Sequence, residues 1–130
     1  MTAPVTIARL DHLVLTVADI DATCEFYGRV LGMARASFAG GRTALSFGNQ
    51  KINLHQAGNE YDPKATTPMP GSGDLCFITE TPLDAVTAHL KDCEVEIIEG
   101  PAMKTGATGP IRSVYFRDPD GNLIEVSNYV

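Results

Sequence analysis

Four side chains able to bind divalent metals stand at matched places in this sequence. His12 and Asp74 are 62 residues apart, and His55 and Glu125 are 70 apart. Each sits among apolar neighbours: Leu13-Val14, Leu54, Leu75-Cys76, and Ile124 with Val126. A charged or imidazole group in such a run is costly to bury unless paired or ligated. Singly, each has a plain reading. His12 and His55 suit half-exposed positions at strand ends, Asp74 after Gly-Ser-Gly suits a turn, and Glu125 suits the polar face of an edge strand. Together, two imidazoles and two carboxylates form a mixed nitrogen and oxygen set. That set suits Zn, Mn, Fe(II), Co or Ni, is poor for Ca, and offers Cu(I) no thiolate. With coordination positions left open, it is what a catalytic metal requires.

The elements that must position these residues repeat as well. Leu10–Val17 reads as a strand, and Asp19 and Asp21 offer caps for a helix. Ile20, Cys24, Tyr27 and Val30-Leu31 recur at helical spacing, and Gly32 is its stop. Three strands are expected at Met33–Phe38, Thr43–Phe47 and Lys51–Gln56. The second half repeats the order. Leu75–Thr79 is a strand, then Thr81-Pro82 caps a helix carrying Leu83, Val86, Leu90 and Cys93, with Asp84 answering Thr81. Strands follow at Glu94–Ile98, Ile111–Phe116 and Asn122–Ser127, with a strong turn at Asp118-Pro119-Asp120-Gly121-Asn122. Each half therefore spells strand, helix, strand, strand, strand, and a duplication is expected. The organisation is one domain over residues 1–130: a module at about 8–57, a linker at 58–73 and a module at about 74–130. The loops Ala57–Gly73 and Gly100–Pro110 are long enough to be functional.

Alternation of strand side chains extends the site. Val14 shares a face with His12, Asn53 with His55, Cys76 with Asp74, and Leu123 and Ser127 with Glu125. This gives a mostly apolar wall with one amide, one hydroxyl and one thiol, suited to a small, partly apolar molecule. Lys104 and Arg112 are candidates for adding positive charge toward an anionic group.

The chain has 130 residues, a net charge of -6 and a pI near 4.9. Acidity argues against nucleic acid or an anionic membrane as the main partner. No apolar run approaches the roughly 20 residues of a membrane span, and Met1–Leu10 lacks the pattern of a secretory leader. Cys24, Cys76 and Cys93 form neither an even set nor a CxxC pair, which points to free thiols in a reducing cytoplasm.

Three stretches resemble a known family. They are Leu10-Asp11-His12-Leu13-Val14-Leu15, then Phe26-Tyr27 with Val30-Leu31-Gly32-Met33, and Tyr115 through Glu125 with its Asp-Pro-Asp-Gly-Asn turn. The chain resembles the vicinal oxygen chelate superfamily, that is, glyoxalase/bleomycin resistance/extradiol dioxygenase proteins. Gly48–His55 is similar to a subgroup of glyoxalase domain-containing protein 5-like and virulence-associated dioxygenase-like proteins. The resemblance implies an α+β fold: two βαβββ modules curling a mixed sheet into a cup, helices outside. It implies one divalent metal held by His12, His55, Asp74 and Glu125. Asp74 stands where relatives carry histidine or glutamate, so a water-mediated role is open there. Tyr115 takes the place of a tyrosine facing the metal, and Tyr115 and Glu125 are its catalytic candidates. The implied activity is that of a lyase, isomerase or dioxygenase acting on a small oxygenated compound, in a homodimer. The alternative is a metal-free, drug-binding protein of the bleomycin-resistance kind.

Overall fold

The computed structural model describes residues 3–130. The first half forms β1 (His12–Val17), α1 (Ile20–Leu31), β2 (Ala34–Phe38), β3 (Arg42–Phe47) and β4 (Gln50–Gln56). The second forms β5 (Asp74–Ile78), α2 (Leu83–Asp92), β6 (Glu99–Thr105), β7 (Pro110–Arg117) and β8 (Leu123–Tyr129). Residues 57–73, between them, contain neither helix nor strand.

Local chemistry explains most boundaries. The Asp19 carboxylate accepts from the N–H groups of Asp21 (2.9 Å) and Ala22 (3.2 Å), satisfying donors that the first turn of α1 leaves free. Gly32, at φ 68°, closes the helix in a left-handed conformation that favours glycine. Helix α2 departs from expectation. Thr81 does not cap it; Pro82 stands at the cap position and makes no side-chain bond. The Leu83 N–H donates instead to Asn128 Oδ1 on β8 (2.8 Å), so the cap comes from across the fold. Asn128 Nδ2 also donates to the carbonyls of Thr79 (2.8 Å) and Thr81 (2.9 Å).

Each half makes its own mixed sheet. Sheet one has the order β1-β4-β3-β2 and sheet two β5-β8-β7-β6. In both, the first strand lies parallel to the last: Val14 pairs with Asn53, and Cys76 with Glu125. The strand expected at Glu94–Ile98 is absent, and the pairing strand β6 lies later, at Glu99–Thr105. Glu94 is left-handed (φ 60°), and Val95 and Ile97 pack on the core without a strand partner. β6 tolerates Gly100-Pro101 because it is an edge strand whose register shifts between Glu99 and Ala102.

One face of each sheet carries the core. Leu15, Val17, Leu45, Ile52 and Leu54 of sheet one join Val114, Phe116, Ile124 and Val126 of sheet two. Cys24, Phe26, Tyr27 and Val30 of α1, with Leu83 and Leu90 of α2, complete the cluster. The opposite faces are left free of helix.

A polar lock joins the halves. The fully buried Tyr27 donates its O–H to Asp118 Oδ2 (2.7 Å). The same carboxylate accepts from the N–H groups of Asp120 (2.9 Å) and Asn122 (3.0 Å) and from Asn122 Nδ2 (2.8 Å). Asn122 Oδ1 in turn accepts from Gly73 N–H (2.7 Å). A Cβ at Gly73 would lie 2.9 Å from that oxygen and 3.0 Å from Leu15, so a larger residue there would displace the Asn122 amide. The acidic turn thus secures the fold by docking α1 on sheet two.

Candidate metal and substrate site

The strand registers place all four candidate ligands on helix-free faces but match only one pair: His12 and Asp74 open β1 and β5. Glu125 lies opposite Cys76 as Asn53 lies opposite Val14, so Glu125 is equivalent to Asn53 and not, as the 70-residue offset suggested, to His55. On sheet one, His12 and Val14 of β1 share their face with Asn53 and His55 of β4, Thr16 lying opposite His55. On sheet two, Asp74 and Cys76 of β5 share theirs with Leu123, Glu125 and Ser127 of β8 and with Ser113 and Tyr115 of β7.

Their surroundings differ. Glu125 is half-buried and supported from below. Its Oε2 accepts from Ser113 Oγ (2.6 Å), which also lies 2.6 Å from Ser127 Oγ, and both serines are fully buried. Cys76 Sγ lies 3.4 Å from Ser127 Oγ, and burial pushes its thiol pKa up, so it is a neutral wall residue rather than a nucleophile. Tyr115 pairs directly with Glu125 across β7 and β8. Burial and the neighbouring Glu125 carboxylate push its hydroxyl up to about 12, which keeps it a proton-bearing donor at neutral pH. His12 is exposed, with Nδ1 2.8 Å from Asp11 Oδ2. The hydrogen bond to His12 is the main cause that holds the Asp11 carboxyl below its usual range. A carboxylate at Nδ1 is the arrangement that orients metal-binding imidazoles. His55 is buried at 8% exposure, its ring edge-on to Tyr61 at 5.6 Å.

Within one chain the quartet does not close. His55 and Asp74 line a cavity of about 490 Å³ together with Val14 and Thr16. His12 lines a separate hollow of about 90 Å³ beside Cys76. Among the described residues no three His, Cys, Asp or Glu side chains come close enough to hold one metal ion. The donor chemistry suits a first-row divalent ion; the geometry of a single chain does not assemble it. A larger hollow of about 730 Å³ lies between the end of α1, β5 and α2, and of the residues expected to line the pocket it contains Cys76.

The two cations expected near the substrate are engaged elsewhere. Lys104 pairs with Glu99 beside the Tyr115 ring, and Arg112 reaches Asp84 (3.5 Å). The residues not foreseen are Asp11, Ser113, Tyr61, Arg42 and Lys51. Ser113 was within reach of the alternation rule, two residues before Tyr115. Tyr61 lies in the segment between the modules and carries no local signal.

The sequence pattern of the Glyoxalase/Bleomycin resistance protein/Dioxygenase superfamily matches residues 9–126. The chain belongs to this superfamily. Among its relatives, the virulence protein STM3117 of Salmonella typhimurium is 57% identical over 124 residues, covering 95% of this chain and 86% of that one. The crystal structure of that protein superposes with a TM-score of 0.96 at 56% identity, over 97% of this chain and 100% of the other. Glyoxalase domain-containing protein RDO1 of Mycosarcoma maydis is 54% identical over 120 residues, 92% of this chain and 68% of that protein. The metallothiol transferase FosB of Shouchella clausii is 30% identical over 125 residues, 90% of this chain and 77% of that one. The superfamily's α+β fold is the one described above, two mixed four-stranded sheets with a helix from each half. Among the described residues no helix is long and apolar enough to cross a membrane.

Proposed function

We propose that this chain is a divalent-metal-dependent enzyme of the glyoxalase/dioxygenase type. It acts in the cytoplasm, as a homodimer, on a small oxygenated compound held through two neighbouring oxygens. The reaction is that of a lyase, an isomerase or a dioxygenase. One observation carries the reading: His12, His55, Asp74 and Glu125 all lie on the helix-free sheet faces, His12 and Asp74 at equivalent places in the two halves. Since one chain does not bring them together, the proposal includes a second copy, with sheet one of one protomer facing sheet two of its partner. The relatives named for a glyoxalase domain and a metallothiol transferase support the chemistry.

The residues have distinct tasks in this reading. His12, aimed by Asp11, and His55, braced by Tyr61, supply nitrogen donors. Glu125, fixed by Ser113, supplies a carboxylate, and Asp74 reaches the site directly or through water. When bound, the metal stabilises charge developing on paired substrate oxygens. Tyr115 retains its proton at neutral pH and donates a hydrogen bond to a substrate oxygen. Val14, Cys76 and Leu123 form apolar wall, which excludes water.

The test is metal content and mass of tag-free protein. One Fe, Mn, Zn, Ni or Co per chain, in a dimer, is expected, and His12→Ala, His55→Ala and Glu125→Gln should each lower the occupancy. Unchanged metal in all three variants refutes the ligand assignment. No metal after supplementation supports the second reading, a metal-free binder of small molecules, for which the hollow of about 730 Å³ is the candidate pocket.

A further inference from the structure

We infer that the helix-free face of sheet one carries a subsite for an anionic substrate group, a carboxylate or a phosphoryl, held by Arg42 and Lys51, with Asn53 accepting from a neighbouring hydroxyl of the same molecule. The inference deepens the proposed function, since it assumes that this face receives substrate, and it defines that substrate as a small acid.

Three observations converge. First, the two cations are placed by aromatic rings. The Arg42 guanidinium carbon lies 4.1 Å from the centre of the Tyr61 ring, and Lys51 Nζ lies 3.7 Å from that of Phe38. Phe38 is paired with Arg42 across the β2–β3 hairpin, and Tyr61 also packs against His55. The two cations therefore stand on the same sheet face, Arg42 against the ring that packs on His55 and Lys51 against the ring of Arg42's cross-strand neighbour. A guanidinium lying over a ring keeps its edge N–H groups free for bidentate bonding to a carboxylate or phosphoryl. Second, both cations lack a counter-ion. Among the described residues no carboxylate oxygen lies within 4.0 Å of either one, although the chain carries a net charge of -6. Lys51 is near enough to Asp11 for its charge to be felt there, but the Asp11 oxygens are directed to His12 (2.8 Å) and Arg9 (3.9 Å). Third, the Asn53 side-chain oxygen is buried without a hydrogen-bond partner among the described residues. It lies on the same face, between Lys51 and His55 in β4. A buried acceptor without a donor is costly, and a hydroxyl next to the anionic group of the bound molecule removes that cost. Lys104 and Arg112 of module two cannot serve in the same way, because Glu99 and Asp84 already occupy them.

Titration of metal-stripped protein with inorganic phosphate and, separately, with acetate tests this, following the chemical shifts of the Arg42, Lys51 and Asn53 side chains. Millimolar binding of at least one anion is expected in the native sequence. The Arg42→Gln/Lys51→Gln double variant should bind at least tenfold more weakly, and Lys104→Gln should bind as the native protein does. Phosphate bound more tightly than acetate assigns a phosphoryl; equal binding assigns a carboxylate. Both replaced side chains sit at the surface of sheet one, and an unchanged circular dichroism spectrum checks the fold. Binding by the double variant at native strength overturns the inference, as does equal weakening by Lys104→Gln. Because no metal is present, this result is independent of whether Glu125→Gln loses metal. The subsite and the metal reading therefore fail separately.

Discussion

Replacing Tyr27 by Phe removes one oxygen and leaves the packed ring in place. The ring stays between Phe26 and the core, where its centroid lies 5.6 Å from that of Phe26. What is lost is the 2.7 Å bond to Asp118 Oδ2, a hydrogen bond to a carboxylate that is itself only 6% exposed. Bonds to charged acceptors in such settings contribute about 1.5–3 kcal/mol. Asp118 keeps three other donors, so the middle of that range, about 2 kcal/mol, is expected. For a chain of 130 residues the unfolding entropy is on the order of 0.27 kcal/mol/K, which gives a Tm about 7 °C lower. Urea unfolding and calorimetry on metal-stripped protein at pH 7 measure both. The pH dependence follows from sign. Burial, then the adjacent Asp118 charge, hold the Tyr27 hydroxyl above its ordinary value, so the folded state keeps the proton that the unfolded state releases. Its contribution is therefore full below about pH 10 and is lost as pH rises further, and the gap between native and variant closes there. In an Asp118→Ala background the same substitution should cost less than about 0.5 kcal/mol. A Tyr27→Phe protein within about 0.5 kcal/mol of native at pH 7 would refute the lock.

Asn128→Ala should cost about 2 kcal/mol, since it uncaps α2 and strands the Thr79 and Thr81 carbonyls; a urea midpoint equal to native would show that the long-range cap contributes nothing. Asp120→Asn should behave oppositely. Burial and the neighbouring Asp118 raise the Asp120 carboxyl pKa, and its Oδ2 is buried without a partner among the described residues. The folded state therefore binds that proton more tightly, and native stability from this group rises as pH falls through the raised value toward 3.8. The amide should add on the order of 1 kcal/mol at pH 7 and progressively less toward pH 4, read from urea midpoints at the two pH values. A pH-independent loss would contradict the assignment.

What could be read from the chain follows a physical line. The β1 to β4 half was legible because Asp19 and Gly32 punctuate α1 and the apolar spacing changes period on either side. The run Glu94–Ile98 misled for an instructive reason: alternation reports burial, and Val95 and Ile97 are partly buried, but it does not report pairing. The true strand contains Gly100 and Pro101, which only an edge with a shifted register accommodates. The matched offsets placed His12 and Asp74 at the first positions of β1 and β5. Whether the quartet meets depends on how sheets from one or two copies are arranged, which local spacing does not encode. Lys104 and Arg112 carry no sequence signal that Glu99 and Asp84 pair with them. The cap from Asn128 and the contact from Tyr27 to Asp118, 91 residues away, are long-range by nature.

The position of the Tyr27 partner also matters while the chain is being made. Sheet one closes when β4 reaches β1, and Gln56 is its last residue. The carboxylate that receives Tyr27 follows only at residue 118. At translation rates of 5–20 residues per second, the ribosome needs roughly 3–12 s to cover that interval. Throughout it, sheet one can exist complete while the Phe26 and Tyr27 side of α1 has no cover from sheet two. The nascent chain thus passes through a stage with an uncovered aromatic helix face. The Asp-Pro-Asp-Gly-Asn turn ends that exposure, and so acts in biosynthesis as a late latch.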